Sequence, residues 1–301
     1  MDPRQRCELP ISFAMEKSAI LLQLDTDERP SVFDRVVAVD AGAAHVFSYG
    51  GVKPEMVRDL VHGCIFTRGP KDLKRTAIFV GGSSLTDGEA LVAAARQAML
   101  PEFGLQVSIL LDSSGANTTA AAAVRSAARH LNLSETTALV LGGTGPVGRR
   151  VGALLARLGA RVRIGSRQIE RAEAACDAIR QRVATAEVEA VATASSRDGP
   201  AALEGCQLVV GAGAAGTVLL PKKLRAGAAQ LQVLIDLNAV PPAGIEGVEP
   251  MDHGVERDGV LTFGALGIGG LKMKLHKAAV ARLFERNDLV LDADEIYALE
   301  V

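Results

Sequence analysis

The stretch "FGALGIGGLKMKLHKA" (263–278) places four glycines within 264–270 and follows them with Lys272, Lys274 and His276. Its apolar spacing predicts a helix over 271–286, with the glycines as a loop before it. A helix start carries partial positive charge and unpaired N–H groups, so it favours anions and opposes a lysine amine. Lys272 at that position therefore asks for a reason outside the helix. His276 lies one turn on, on the same face, and either lines a cleft or fills a structural place. Lys274 projects elsewhere and reads as solvated.

A second constellation is more specific. In "ALVLGGTGPVGRRVGALLARLGARVRIGSR" (138–167), Gly143, Thr144, Gly145, Pro146, Val147 and Gly148 spell G-x-G-x-x-G between a strand and an amphipathic helix. That context reads as a dinucleotide fingerprint, with glycines for the turn, for phosphate approach and for helix–strand packing. The second strand ends in Gly165, Ser166 and Arg167, with no Asp or Glu to hold a ribose 2′-OH. A hydroxyl and a guanidinium suit a 2′-phosphate, so NADP is expected, with NAD left open. Later in the same unit, Gly211 and Ala212 would let a nicotinamide ribose come close. Asp236 and Asn238 fall at a strand's carboxyl end, where Asn238 serves either a ligand or a turn.

These residues need elements to position them. Short β-rich runs alternate with longer Ala-rich helical runs, the pattern of parallel sheets covered on both faces. Strands are expected at 19–24, 64–67, 77–80, 105–111, 138–142, 161–165, 187–191, 207–212 and 232–237. Helices are expected at 31–40, 54–62, 86–99, 117–131, 146–158, 168–183 and 271–286. The division predicts an N-terminal extension at 1–16, an α/β domain at 17–130 and a Rossmann-type α/β domain at 131–270. A helical segment, 271–301, returns to the first domain, and a ligand cleft lies between the two.

Composition narrows the partner to a small molecule. A net charge of −2 gives no footprint for nucleic acid or an anionic membrane. Aromatics are 3% with no Trp, which opposes base-stacking platforms. Four scattered cysteines without a CxxC supply no metal site and fit a reducing compartment. No apolar run reaches a membrane span and the N-terminus lacks a signal pattern, so a cytoplasmic protein is expected. Tyr49 and Lys53 match Y-x-x-x-K, but Gly50, Gly51 and Pro54 oppose the helix such a pair requires.

Beyond these generic pieces, the chain resembles the NAD(P)-dependent methylene-tetrahydromethanopterin dehydrogenases of one-carbon metabolism. The likeness runs from about residue 18 to the end. It is carried by "LLQLDTDERPSVFDRVVAVDAGA" (21–43), "TRG" (67–69), "TAIFVGG" (76–82) and "LDSSGANTTAAAA" (111–123). It continues through "GGTGPVG" (142–148), "NAVPPAGI" (238–245), "FGALGIGGLKMKLHKA" and "DADEIYAL" (292–299). The resemblance implies oxidation of a methylene bridge on a reduced pterin carrier, with hydride passing to NADP or NAD, in a homo-oligomer such as a trimer. It implies an active-site role for Lys272, with His276 beside it. The glycines, Gly267 among them, would give the flat pterin or nicotinamide access to backbone. Asp25 and Asp27 would meet the pterin's N–H groups or serve a turn. Asn117 and Thr118 would contact substrate or cap a helix. Three other readings stay open: a methylene-tetrahydrofolate dehydrogenase, a shikimate-dehydrogenase-like reductase, and an inactive NADP-binding redox sensor.

Overall fold

The computed structural model describes residues 16–195, 198–225 and 227–301. The N-terminal extension expected at 1–16 lies outside them apart from Glu16. The first half runs β1 (Ile20–Asp25), α1 (Val32–Asp40), β2 (His45–Tyr49), α2 (Pro54–Ile65), β3 (Thr76–Gly81), α3 (Leu85–Ala98), β4 (Ser108–Leu111) and α4 (Ala116–Ala128). The second runs β5 (Thr137–Leu141), α5 (Pro146–Arg157), β6 (Arg161–Ser166), α6 (Ile169–Arg182), β7 (Val188–Ala192), α7 (Asp198–Leu203), β8 (Leu208–Gly211), α8 (Lys222–Arg225) and β9 (Val233–Asp236). It closes with β10 (His253–Arg257), β11 (Val260–Gly264), α9 (Ala265–Arg282), β12 (Val290–Leu291) and α10 (Ala293–Ala298).

Two sheets result, ordered β12-β4-β3-β1-β2 and β10-β11-β9-β8-β5-β6-β7. All neighbouring strands are parallel except β10 against β11. In each sheet the chain winds outward in both directions from one strand, β1 in the first and β5 in the second. Ligands of open α/β sheets bind at the carboxyl ends of strands at such switch points. Asp25 ends β1, and the glycine fingerprint follows β5.

One continuous core joins the two sheets, and α4 is its centre. Ala120, Ala121, Ala122, Ala123 and Ala127 are all buried, because small side chains let α5, α9 and α10 approach α4 together. The last residues belong to the first sheet: β12 pairs with β4, and the Ile109 amide donates to the Leu289 carbonyl at 2.8 Å. Among the described residues no helix is long and apolar enough to cross a membrane.

Several expectations are corrected. Residues 64–65 of the strand expected at 64–67 form the last turn of α2, where Val57, Val61, Cys64 and Ile65 share the buried face. The edge strand β2 and the β10–β11 hairpin are additional to the expected elements. The largest correction concerns α9, which starts at Ala265 rather than 271. Its first N–H groups are already taken: those of Leu266 and Gly267 donate to the Pro250 carbonyl at 2.9 and 3.0 Å. A side chain on Gly267 would lie 1.8 Å from the Asp252 carbonyl oxygen. Gly264 and Gly267 thus let a helix cross backbone closely, and the glycines do not form a loop. Lys272 sits two turns inside the helix, beyond the reach of its terminal field.

Candidate active site

Two clefts open at the two switch points. The second-sheet cleft is lined by Gly142, Thr144, Gly145, Ser166, Arg167, Gln168, Arg171, Thr193 and the 212–219 loop. Gly142, at φ +67°, is required by approach as well as by conformation: a Cβ there would stand 2.5 Å from Gly213 Cα. Gly148 lets α5 close on the turn, since its Cβ would meet the Gly142 carbonyl oxygen at 2.6 Å. The Ser166 hydroxyl, at the end of β6, accepts the Gln168 amide at 3.2 Å. Among the described residues no acidic side chain lines this cleft. A cavity with a side-chain-free floor, a helix start and two guanidinium groups fits a dinucleotide carrying a 2′-phosphate.

Five of the expected cofactor residues line it: Thr144, Gly145, Ser166, Arg167 and Ala212. Gly143, Gly148 and Gly211 stand one layer back as packing glycines, and Pro146 opens α5. Val147 packs against hydrophobic clusters of both halves. Asn238 and Gly267 do not line it. The Asn238 side-chain amide donates to the Pro242 carbonyl at 3.1 Å and its oxygen accepts the Val240 amide at 3.0 Å, so it takes the turn alternative. Gly267 faces residues 251–252.

The first-sheet cleft, about 370 Å³, is within the usual range for small-molecule pockets, roughly 300–1,000 Å³. It brings together Asp25, Asp27, Lys272 and His276 with Arg29, Ser31, Phe33, Asp34, Ser83 and Asp112. Lys272 and His276 arrive side by side from α9, and the Lys272 amine lies 5.7 Å from the Phe33 ring centroid. A side chain on Gly115 would lie 2.7 Å from that amine, so the glycine makes room for it.

Asn117 and Thr118 do not line this cleft. Both are fully buried at the start of α4, where their amides donate to Asp112 Oδ1 at 3.0 Å. The Thr118 hydroxyl donates to Asp112 Oδ2 at 2.7 Å. Asn117 Oδ1 accepts from Arg150 Nε at 2.8 Å. Their part is to hold Asp112, which the sequence reading did not single out. Burial pushes the Asp112 carboxyl up to about 6, against the pull of Thr118 and Lys272. Burial also raises Asp34, opposed by His276 and the Ser31 hydroxyl. The imidazole of His276 is pushed down to about 4, by burial first.

The clefts adjoin. The Ser113–Gly115 turn, whose Ser114 and Gly115 line the first, lies against α5, and the residue that caps α5, Gly145, lines the second.

Comparison with known proteins agrees with this geometry. The family model for "Methylene-tetrahydromethanopterin dehydrogenase, N-terminal" matches residues 32–114. The "Bifunctional protein MdtA" of Methylorubrum extorquens is 45% identical over 282 residues, 93% of this chain and 97% of that protein. The NAD(P)-dependent methylenetetrahydromethanopterin dehydrogenase of the same organism is 31% identical, covering 94% and 98%. Among solved structures, shikimate 5-dehydrogenase from Listeria monocytogenes covers 96% of this chain and 97% of its own, with a TM-score of 0.55 at 15% identity. The 5-ketofructose reductase of a Gluconobacter strain covers 93% and 97%, with 0.52 at 17%. These two share the fold. The near full-length relatives decide the family: the chain belongs to the methylene-tetrahydromethanopterin dehydrogenases.

Proposed function

We propose that the protein oxidises the methylene bridge of a reduced pterin carrier, methylene-tetrahydromethanopterin, to the methenyl form, with NADP as hydride acceptor. The observation that carries this reading is the packing of the Ser113–Gly115 turn against α5, which links a cleft holding Lys272 to one holding the glycine fingerprint. The 31% identical relative, named as an NAD(P)-dependent enzyme of this reaction, supports it.

Hydride departure from a carbon between two nitrogens leaves a delocalised amidinium cation, and no proton is removed in that step. Alignment and electrostatics can then carry the catalysis. Bound NADP supplies the nicotinamide carbon that takes the hydride. Ser166, Arg167 and Arg171 hold the 2′-phosphate. Phe33, half-exposed, offers a ring face to the flat pterin, and Lys272 donates to its polar groups. Four carboxylates, Asp25, Asp27, Asp34 and Asp112, face two cations, Arg29 and Lys272. That surplus of negative charge favours the product cation.

Purified protein given methylene-tetrahydromethanopterin and NADP should reduce the nucleotide, followed by its absorbance. Parallel rates with methylene-tetrahydrofolate and with NAD set both preferences. Lys272→Ala should lower kcat by about tenfold or more, the scale of one lost charge-assisted contact. No turnover with either carrier, despite bound NADP, would favour the redox-sensor reading. We also place the chain in a homo-oligomer in the cytoplasm; light scattering on the purified protein tests the assembly.

A further inference from the structure

We propose that Asp34 reads the donor edge of the pterin ring, its amino and ring N–H groups, and that His276 positions the Asp34 carboxylate for that contact. This rests on the reading of the first-sheet cleft as a pterin site. It singles out one carboxylate of four by asking which has acceptor capacity to offer.

Asp25 is already engaged: Oδ1 accepts the Asp27 amide at 2.9 Å, and Oδ2 accepts the Ser31 amide at 3.1 Å. Asp112 is engaged by two amides and a hydroxyl at the start of α4. Asp27 accepts the Ser83 hydroxyl at 2.7 Å and stands exposed at the rim. Asp34 differs. Among the described residues no backbone N–H is directed at its carboxylate; the Ser31 hydroxyl lies beside it and His276 Nε2 stands 3.9 Å away.

His276 is the complementary anomaly. Its ring is 1% exposed, and neither nitrogen has a hydrogen-bond partner among the described residues. It is held by stacking on Phe79, with centroids 5.7 Å apart and planes at 19°, and Phe33 covers it at 6.1 Å. Buried polar atoms without partners are rare and destabilising, and they call for a use. A neutral imidazole has one N–H to give. An approach of about 1 Å would bring Asp34 within hydrogen-bond length of Nε2. A carboxylate anchored from behind then presents its remaining lone pairs to the cleft. The 2-amino-4-oxo edge of a pterin presents two N–H donors side by side, and a carboxylate meets them as it meets a guanidinium fork.

The test separates contact from structure. Asp34→Asn replaces one acceptor oxygen by a donor, so KM for the methylene carrier should rise about ten- to hundredfold, while kcat changes less than about threefold. KM for NADP should not move. His276→Phe, which keeps the stack and removes the N–H, should reproduce the rise in KM. His276→Gln, which restores an N–H, should recover most of it, and His276→Phe should add nothing to Asp34→Asn. The proposal is overturned if Asp34→Asn leaves KM unchanged, or if the His276 variants lower thermal stability alone. Wild-type turnover reports separately on the reaction. Should it be absent, calorimetric titration with tetrahydromethanopterin still compares wild type with Asp34→Asn, and equal affinities would overturn the Asp34 contact.

Discussion

Arg167, just before α6, and Arg171, in its first turn, both line a cleft that has no carboxylate among the described residues. A phosphate on the ribose would meet both, whereas a bare hydroxyl gains little from either. Replacing both with Ala should therefore raise KM for NADP by about tenfold or more and leave NAD within about twofold, as steady-state kinetics with each nucleotide would show. Two other side chains bear on pH. The Asp112 carboxyl moves from 3.8 to about 6 on folding, so between those values the native state holds more protons and stability falls as pH rises. His276 moves from 6.5 to about 4, so over nearly the same window the unfolded state holds more protons and stability rises. Each shift corresponds to about 3 kcal/mol, with opposite signs. Urea unfolding of His276→Phe between pH 4 and 6 should expose a falling slope, and Asp112→Asn a rising one.

At the scale of elements, α9 offers two glycines with opposite expectations. A methyl group on Gly267 meets the Asp252 carbonyl oxygen at 1.8 Å, whereas one on Gly270 meets nothing within 4 Å. Gly270→Ala should stabilise by up to about 1 kcal/mol through helix propensity. Gly267→Ala should destabilise by about 1–3 kcal/mol or more, because backbone must move; thermal unfolding distinguishes them. This pair also explains why the helix start was misread. Glycine density signals a loop only when nothing else needs the space, and the crossing of residues 249–252 beneath α9 has no local signature. The buried β-rich runs of β1, β3, β5, β8 and β9 were legible from their own residues. By contrast, β2 is an edge strand of alternating exposure, and "CIFT" was too short to distinguish strand from helix. In the site, the fingerprint, Ser166, Arg167 and Lys272 were legible through spacing and resemblance. Asp34 and Asp112 were not, since each is a lone carboxylate whose environment is made by distant elements. Arg171 had a signal, its place one turn after Arg167, that went unused.

At the scale of the whole molecule, an ion network built around the buried Arg150 fastens the two halves. Arg150 on α5 pairs with Glu89 on α3 at 2.8 Å and with Asp292 before α10 at 3.2 Å, and Arg182 on α6 joins both carboxylates. The Arg150 and Arg182 guanidinium groups hold the Asp292 carboxyl below its usual range, against burial. Arg150→Ala should cost about 1–3 kcal/mol, the scale of lost charge-assisted hydrogen bonds, because Arg182 still pairs with both carboxylates; denaturant unfolding gives the value. Together with the alanine seam around α4, this fastening makes the relative placement of the clefts a property of the core and not of a linker. The pairing of β12 with β4 has its own corollary for biogenesis. An outer ribbon of the N-terminal lobe follows, in chain order, every strand of the second sheet. The edge of the lobe at β4 therefore stays uncovered until the whole second sheet has been synthesised.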